Sequence, residues 1–306
     1  MKILYVEDER SGSIDRVLRL FSKYLDEKTV AALKHLSADD YGATPDEIKM
    51  LVESTNIIEI ADRFPDALRK IKDGYDRYAC FIVDRNLIEN PYEFSEVHKI
   101  DPNYTEALYN KFREREGDYL LSWLGTKTIN PEGVLQKFNF LSAFPTGPDD
   151  KIRGVENIQT FIDLKTFTEE QFFKKDDPRM DDLKKKIDKI EVLNTQYENR
   201  VYLDILRNNL HEEDEEMFLK VLLKKDEENR IRDNLSGIRI IYEHITEKFA
   251  TTHPQCKDDK GVDIKRLFSE LEKNGQVNQM LRNYCYTIWQ VCSDYGAHKD
   301  KRPHNT

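Results

Sequence analysis

Four short apolar runs within the first 165 residues lead into residues that can do chemistry. Residues 3–6 run into Glu7, Asp8 and Glu9, residues 78–83 stop at Asp84, the run 138–144 carries Ser142, and residues 158–164 meet Lys165. Carboxylates gathered from two such runs repel one another unless a cation lies between them, and an all-oxygen donor set suits Mg²⁺. An ammonium and a hydroxyl beside them can neutralise and hydrogen-bond a phosphoryl group. Together these groups are equipment for phosphoryl transfer by positioning and electrostatics. Glu9 reads differently, as an acid at a helix start favoured by the dipole.

For these groups to meet, the runs must be neighbouring parallel strands, because open parallel sheets gather ligands outside the carboxyl ends of their strands. Residues 3–6, 56–61, 78–83, 138–144 and 158–164 read as five strands. Between them, residues 13–24 carry an apolar stripe of Ile14, Val17, Leu18, Leu20 and Phe21. Residues 64–72, closed by Gly74, and residues 119–124 are also helical. The alternation predicts an α/β fold with a doubly wound five-stranded parallel sheet, covered on both faces. Two segments break the rhythm and read as insertions. One is 26–55, with a helix start at Thr44-Pro45-Asp46-Glu47; the other is 88–116, which follows the Asp84 loop and is placed to lid the site or carry a partner contact.

Beyond Pro178 no strand pattern is found, so the sequence divides into residues 1–178 and an all-α domain over 179–306. Helices are expected near 212–226, 228–250, 263–273 and 276–295, punctuated by Gly261, Gly275 and Gly296. Leu183, Ile187, Ile190, Asn194, Tyr197 and Val201 have the spacing of a heptad seam on a long helix. Such a seam either pairs with a second copy or docks the helix on its own domain, and a homodimer through the 183–201 helix is expected. The donors His253, Cys256, Cys285, Cys292 and His298 are too dispersed for a zinc site, and the aromatic stretch 281–298 reads as core packing.

Of the 306 residues, 48 are Lys or Arg and 58 are Asp or Glu, and the net charge of −10 argues against nucleic acid and anionic membranes as partners. Thirty aromatic rings of Phe and Tyr and two of Trp argue for a packed core. No apolar run nears the roughly 20 residues of a membrane span, and the first is cut short by Glu7 and Asp8, unlike a signal peptide. Four cysteines do not make a disulfide scaffold. A cytoplasmic location is expected.

The segments MKILYVEDE, YACFIVDRNL, NFLSAFP and FIDLKTF resemble the signature stretches of the receiver domain of two-component response regulators. The resemblance covers roughly residues 1–175, interrupted by the two insertions. It implies a flavodoxin-like sheet of order 2-1-3-4-5, with Glu7 and Asp8 as the acidic metal pair and Asp84 as phosphoacceptor. It further implies Asn86 as a ligand through its backbone carbonyl, Ser142 and Lys165 on the phosphoryl group, and Mg²⁺ as cofactor. A histidine kinase or phosphotransfer protein would be the partner, and the helical domain the output, with no enzyme activity beyond self-phosphorylation and dephosphorylation at Asp84. Thr166 follows Lys165 where the family usually has proline, and Ile162, beside Phe161, stands where it usually has an aromatic switch. These departures point to the rival expectation, a receiver-like binding module that works without phosphorylation. The end of the helical domain resembles the C-terminal domains of abortive-infection proteins, implying a third alternative, an effector activity there. No arginine lies four to six residues before His298 to carry that activity over.

Overall fold

The computed structural model describes residues 1–9, 13–38, 44–127, 133–134, 136–143, 171–175, 178–259 and 261–296. Five parallel strands, β1 (Lys2–Val6), β2 (Ile58–Ala61), β3 (Tyr78–Val83), β4 (Phe138–Ser142) and β5 (Phe172–Lys174), form one sheet in the order β2-β1-β3-β4-β5. Ile3 pairs with Ile58 on one side and Cys80 on the other, Val83 with Phe140, and Ser142 with Lys174. This is the doubly wound order expected, followed by helices.

Alternation along each strand sends successive side chains to opposite faces, and both faces are covered. Leu4, Val6, Phe81, Val83, Phe138 and Phe140 pack beneath α4 (Phe64–Gly74) and α7 (Glu116–Lys127). The same cluster takes in Val97 of α5 (Phe94–Ile100), Phe112 of α6 (Glu106–Phe112) and Tyr104 between them, so the 88–116 insertion is part of this core. Ile3, Tyr5, Cys80, Ile82 and Leu141 face the other way. They meet α1 (Ser13–Phe21), and with it α2 (Glu27–Ser37) and α3 (Pro45–Glu53) of the first insertion, through residues such as Leu20, Leu33 and Val52. A capping box at Thr44 and Glu47, with Pro45 in the first turn, starts α3 as the sequence indicates.

One expectation lies outside the described residues and one is corrected. The fifth strand is Phe172–Lys174; the expected strand at 158–164 lies outside the described residues. The expected long helix is three: α8 (Met180–Ile187), α9 (Glu191–Glu198) and α10 (Arg200–Asn209). Leu183 and Ile187 are fully buried against the second face of the sheet, and Ile190 and Tyr197 pack at its margin. Asn194 accepts from the Tyr24 hydroxyl at 3.0 Å and donates to the Asp188 carbonyl at 2.9 Å. The seam residues from Leu183 to Tyr197 are thus spent on the chain's own domain, while Val201 is exposed. The sheet needs this cover, so the first compact unit runs to Tyr197 and the second begins at Glu198, later than the 178/179 division read from composition.

In the second unit, α10 is followed by α11 (Glu212–Leu223), α12 (Ile231–Thr252), α13 (Ile264–Lys273) and α14 (Gln279–Val291). A two-residue antiparallel ladder of β6 (Lys257–Asp258) and β7 (Gly261–Val262) is the one departure from all-α among the described residues. Tyr242, Cys256, Leu267, Phe268 and Leu271 form its core, with Trp289 against it. Among the described residues no helix is long and apolar enough to cross a membrane.

Candidate functional site

The carboxyl ends of β1, β3, β4 and β5 meet. Glu7, Asp8 and Asp84 are buried, and each offers a carboxylate oxygen such that the three lie within 4.8 Å of one another. β1 and β3 are neighbours in register, Val6 beside Val83, so the residues that follow them leave the sheet side by side. The Asp84 N–H donates to the Val6 carbonyl at 2.8 Å, extending the ladder by one rung and fixing where its side chain starts.

The ammonium among these carboxylates belongs to Lys175. Its Nζ lies 2.6 Å from Asp84 Oδ2, 2.8 Å from Glu7 Oε1 and 2.8 Å from Glu9 Oε2. Lys175 follows β5 directly, and its N–H donates to the Ser142 carbonyl at 3.0 Å. Lys165, the lysine expected here, lies outside the described residues. Arg16 of α1 adds a second buried cation, with Nη2 3.2 Å from Glu9 Oε2 and Nε 3.7 Å from Glu7 Oε2. Glu9, read from sequence as a helix-start acid, is therefore part of the charge cluster. Sequence reasoning missed Lys175 and Arg16. Phe172-Phe173 before Lys174-Lys175 follows the same pattern of apolar run then polar residue that picked out the other strand ends.

Burial sets the protonation balance. Desolvation, then the neighbouring Asp84, pushes Glu7 up to about 7 against the pull of Lys175 and Arg16. Desolvation also raises Asp84 and Asp8, opposed by Lys175 at the first and by backbone amides at the second. Burial works against the Lys175 ammonium, but Glu7 and Asp84 beside it win and hold its proton more firmly than usual.

The second insertion is clasped onto this centre. Asp8 Oδ2 accepts the backbone N–H groups of Glu89 and Asn90, and Asn90 Nδ2 donates to the Asp62 carbonyl at 2.8 Å. Asn86 joins three parts: its N–H donates to Asp84 Oδ1 at 3.1 Å, its Oδ1 accepts from Ser142 Oγ at 3.2 Å, and its Nδ2 donates to the Glu114 carbonyl at 2.6 Å. Glu114 holds a left-handed backbone, φ 64°, which is costly for a residue with a Cβ and marks a tightly determined corner. Gly117 packs so closely that a Cβ there would lie 2.6 Å from the Asp84 carbonyl oxygen, so only glycine lets α7 approach this loop. A cleft on the other side, walled by Tyr5, Pro45 and Ile48 and opening to Glu7, Asp8 and Asp62, shows that the first insertion borders the site as well.

Glu116, at the end of the second insertion, is buried with no partner for Oε2 among the described residues, while Oε1 accepts from Tyr92 Oη at 3.2 Å and from the Glu114 N–H at 3.0 Å. Desolvation raises its pKa from the usual 4.5 to about 7. A folded-state pKa above the unfolded one means that the folded form binds the extra proton. This contribution to stability is complete below about pH 4.5 and lost as pH rises through about 7. Glu116→Gln, which mimics the protonated carboxyl, is expected to flatten the fall in melting temperature between about pH 5 and pH 8. Thermal melts at both values check this, and an unchanged slope counts against a protonated Glu116.

Among the described residues, Glu7, Asp8 and Asp84 are the group of three or more acidic, histidine or cysteine side chains able to hold a metal ion together. The dispersed donors of the second unit are not so gathered: Cys256 and Cys292 are buried as free thiols, and His298 lies outside the described residues. In comparison with known proteins, no family model matches the chain, and neither a curated protein nor a solved structure matches it.

Proposed function

We propose that the first unit is a phosphorylation-responsive receiver, resembling that of a two-component response regulator, in which Asp84 accepts a phosphoryl group. The observation that carries this reading is the meeting of Glu7, Asp8 and Asp84 at adjacent strand ends with the Lys175 ammonium 2.6 Å from Asp84. An Asp84 carboxylate oxygen attacks the phosphorus of a phosphohistidine on a histidine kinase or phosphotransfer protein, or of a small acyl phosphate. The bond from phosphorus to the leaving nitrogen or oxygen breaks and its electron pair stays with the leaving group. Lys175 and Ser142 neutralise and hydrogen-bond the incoming phosphoryl oxygens, taking the part expected of Lys165. Burial excludes water and strengthens each of these interactions.

The donor set fits Mg²⁺: three buried carboxylates, oxygen atoms only, carrying more negative charge than Lys175 and Arg16 offset. Asp8, Asp84 and the Asn86 carbonyl would hold the ion, with Glu7 acting through water, and the bound ion supplies charge neutralisation to the transferred group. The second unit would receive the change as a helical output domain, in a protein expected in the cytoplasm.

The phosphorylation-independent alternative, a receiver-shaped binding module, is favoured by one observation. Asp8 already accepts two backbone N–H groups from the insertion, so a cation must compete with them. Beryllofluoride, which mimics a phosphoryl group, separates the readings. The receiver reading expects a bound fluorine NMR signal that needs Mg²⁺ and is absent from Asp84→Asn; no signal in the folded wild-type protein selects the binding module.

A further inference from the structure

The aromatic stretch expected to be core packing meets the core along one face only. Cys285, Tyr286 and Trp289 of α14 lie against the core of the second unit, where the Tyr242 hydroxyl donates to the Cys285 carbonyl at 3.0 Å. The neighbouring face is bare and apolar. Met280 is 78% exposed, Leu281 44%, Tyr284 65%, Val291 40% and Tyr295 53%. Leu281, Tyr284, Ile288, Val291 and Tyr295 recur at intervals of 3, 4, 3 and 4, the spacing of a coiled-coil seam, carried past Val291 into the π turn Cys292–Gly296. Charge is scarce along it. Residues 279–293 hold one charged side chain, Arg282, in a chain of which 35% is charged, and Arg282 is engaged with Glu272 at 2.6 Å.

We propose that this face of α14 binds the same face of a second copy of the chain, the two helices antiparallel across a two-fold axis. Charge selects this occupant. With a net charge of −10, two copies repel wherever their charged surfaces meet, and the strip along α14 is one place where they need not. A two-fold contact also requires a patch that complements itself, which an uncharged apolar seam does and a charged one does not. The side chains then pair by shape. An axis at the level of Thr287 and Ile288 sets Met280 opposite the second copy's Tyr295, a thioether against an aromatic ring, and Tyr284 opposite its Val291. The area is sufficient. At about 150–250 Å² for a large side chain, the five exposed residues leave on the order of 600 Å² bare, the upper end of the patch carried by a typical monomer. Doubled across the axis, this reaches the roughly 1,200 Å² at which specific interfaces begin. The composition agrees as well, because aromatic residues and Met are enriched in interface cores and acidic residues depleted.

Sedimentation of the full chain between about 1 and about 100 μM tests the proposal, since an interface of this size predicts a dimer of micromolar dissociation constant. Tyr284→Lys and Val291→Glu, both at exposed positions, are each expected to weaken dimerisation at least about tenfold. In the chain carrying both substitutions, the introduced ammonium faces the introduced carboxylate twice across the axis, and much of the loss is expected to be recovered. Circular dichroism checks that the variants fold, and Met280→Glu, at the most exposed of the five positions, carries the test if one does not. A wild type that stays monomeric through this range overturns the proposal and leaves the face to another protein. A dimer indifferent to the single substitutions, or a doubly substituted chain no better paired than the single ones, overturns it too.

Discussion

Lys175→Met is expected to destabilise the first unit by about 3–5 kcal/mol at neutral pH, because it leaves Glu7 and Asp84 buried without the ammonium between them. The side chains concerned are almost fully shielded, at 3% exposure for Lys175, 3% for Glu7 and 6% for Asp84, so water cannot take the ammonium's place. Glu7, already raised to about 7 by burial, would take up a proton more readily still without Lys175. A folded-state pKa raised further above the unfolded value makes the variant regain stability as pH falls. Urea unfolding at about pH 5 and about pH 8 measures both effects. A loss below about 1 kcal/mol at the higher pH would mean that the ammonium is not integral to the site.

A second large effect is expected at Arg85, the residue after the proposed phosphoacceptor. Its Nε and Nη2 meet the two oxygens of Asp118 at 2.8 and 3.2 Å, with side chains 1% and 0% exposed. Arg85→Ala removes both guanidinium contacts from a buried carboxylate and is expected to cost about 3–5 kcal/mol. Asp118→Ala removes the carboxylate from the buried guanidinium to similar effect, and the double variant should be less destabilised than the two single losses added together. Chemical denaturation of all four proteins completes the cycle; strict additivity would mean that the pair is not coupled. The pair joins the Asp84 loop to α7 where Gly117 admits the close approach.

The central strands were legible because β1 and β3 are buried on both faces and read as continuous apolar runs, with carboxylates directly after them. β5 was not, for a physical reason. Among the described residues it is an edge strand of three residues with only Phe173 buried, so it leaves almost no periodic signal beside the longer apolar run at 158–164. Arg16 was hidden by its setting, a charged residue within an apolar helix stripe, whose burial depends on Glu7 and Glu9 arriving from β1. The heptad spacing from Leu183 to Val201 was real as far as Tyr197, but spacing encodes only that a stripe is covered, not by what. Here the chain's own sheet covers it, and the helix breaks near Asp188, whose carbonyl accepts from Asn194 Nδ2.

The central claim is that Asp84 accepts a phosphoryl group. Intact-mass spectrometry after incubation with Mg²⁺ and acetyl phosphate tests it most directly, using wild type, Asp84→Asn and a wild-type sample in excess chelator. The account predicts the mass of one added phosphoryl group on wild type alone, mapped to the peptide containing Asp84, with Asp84→Asn folded and unmodified. Folded wild-type protein that gains no mass at millimolar donor, or gains it equally in Asp84→Asn, would contradict the account.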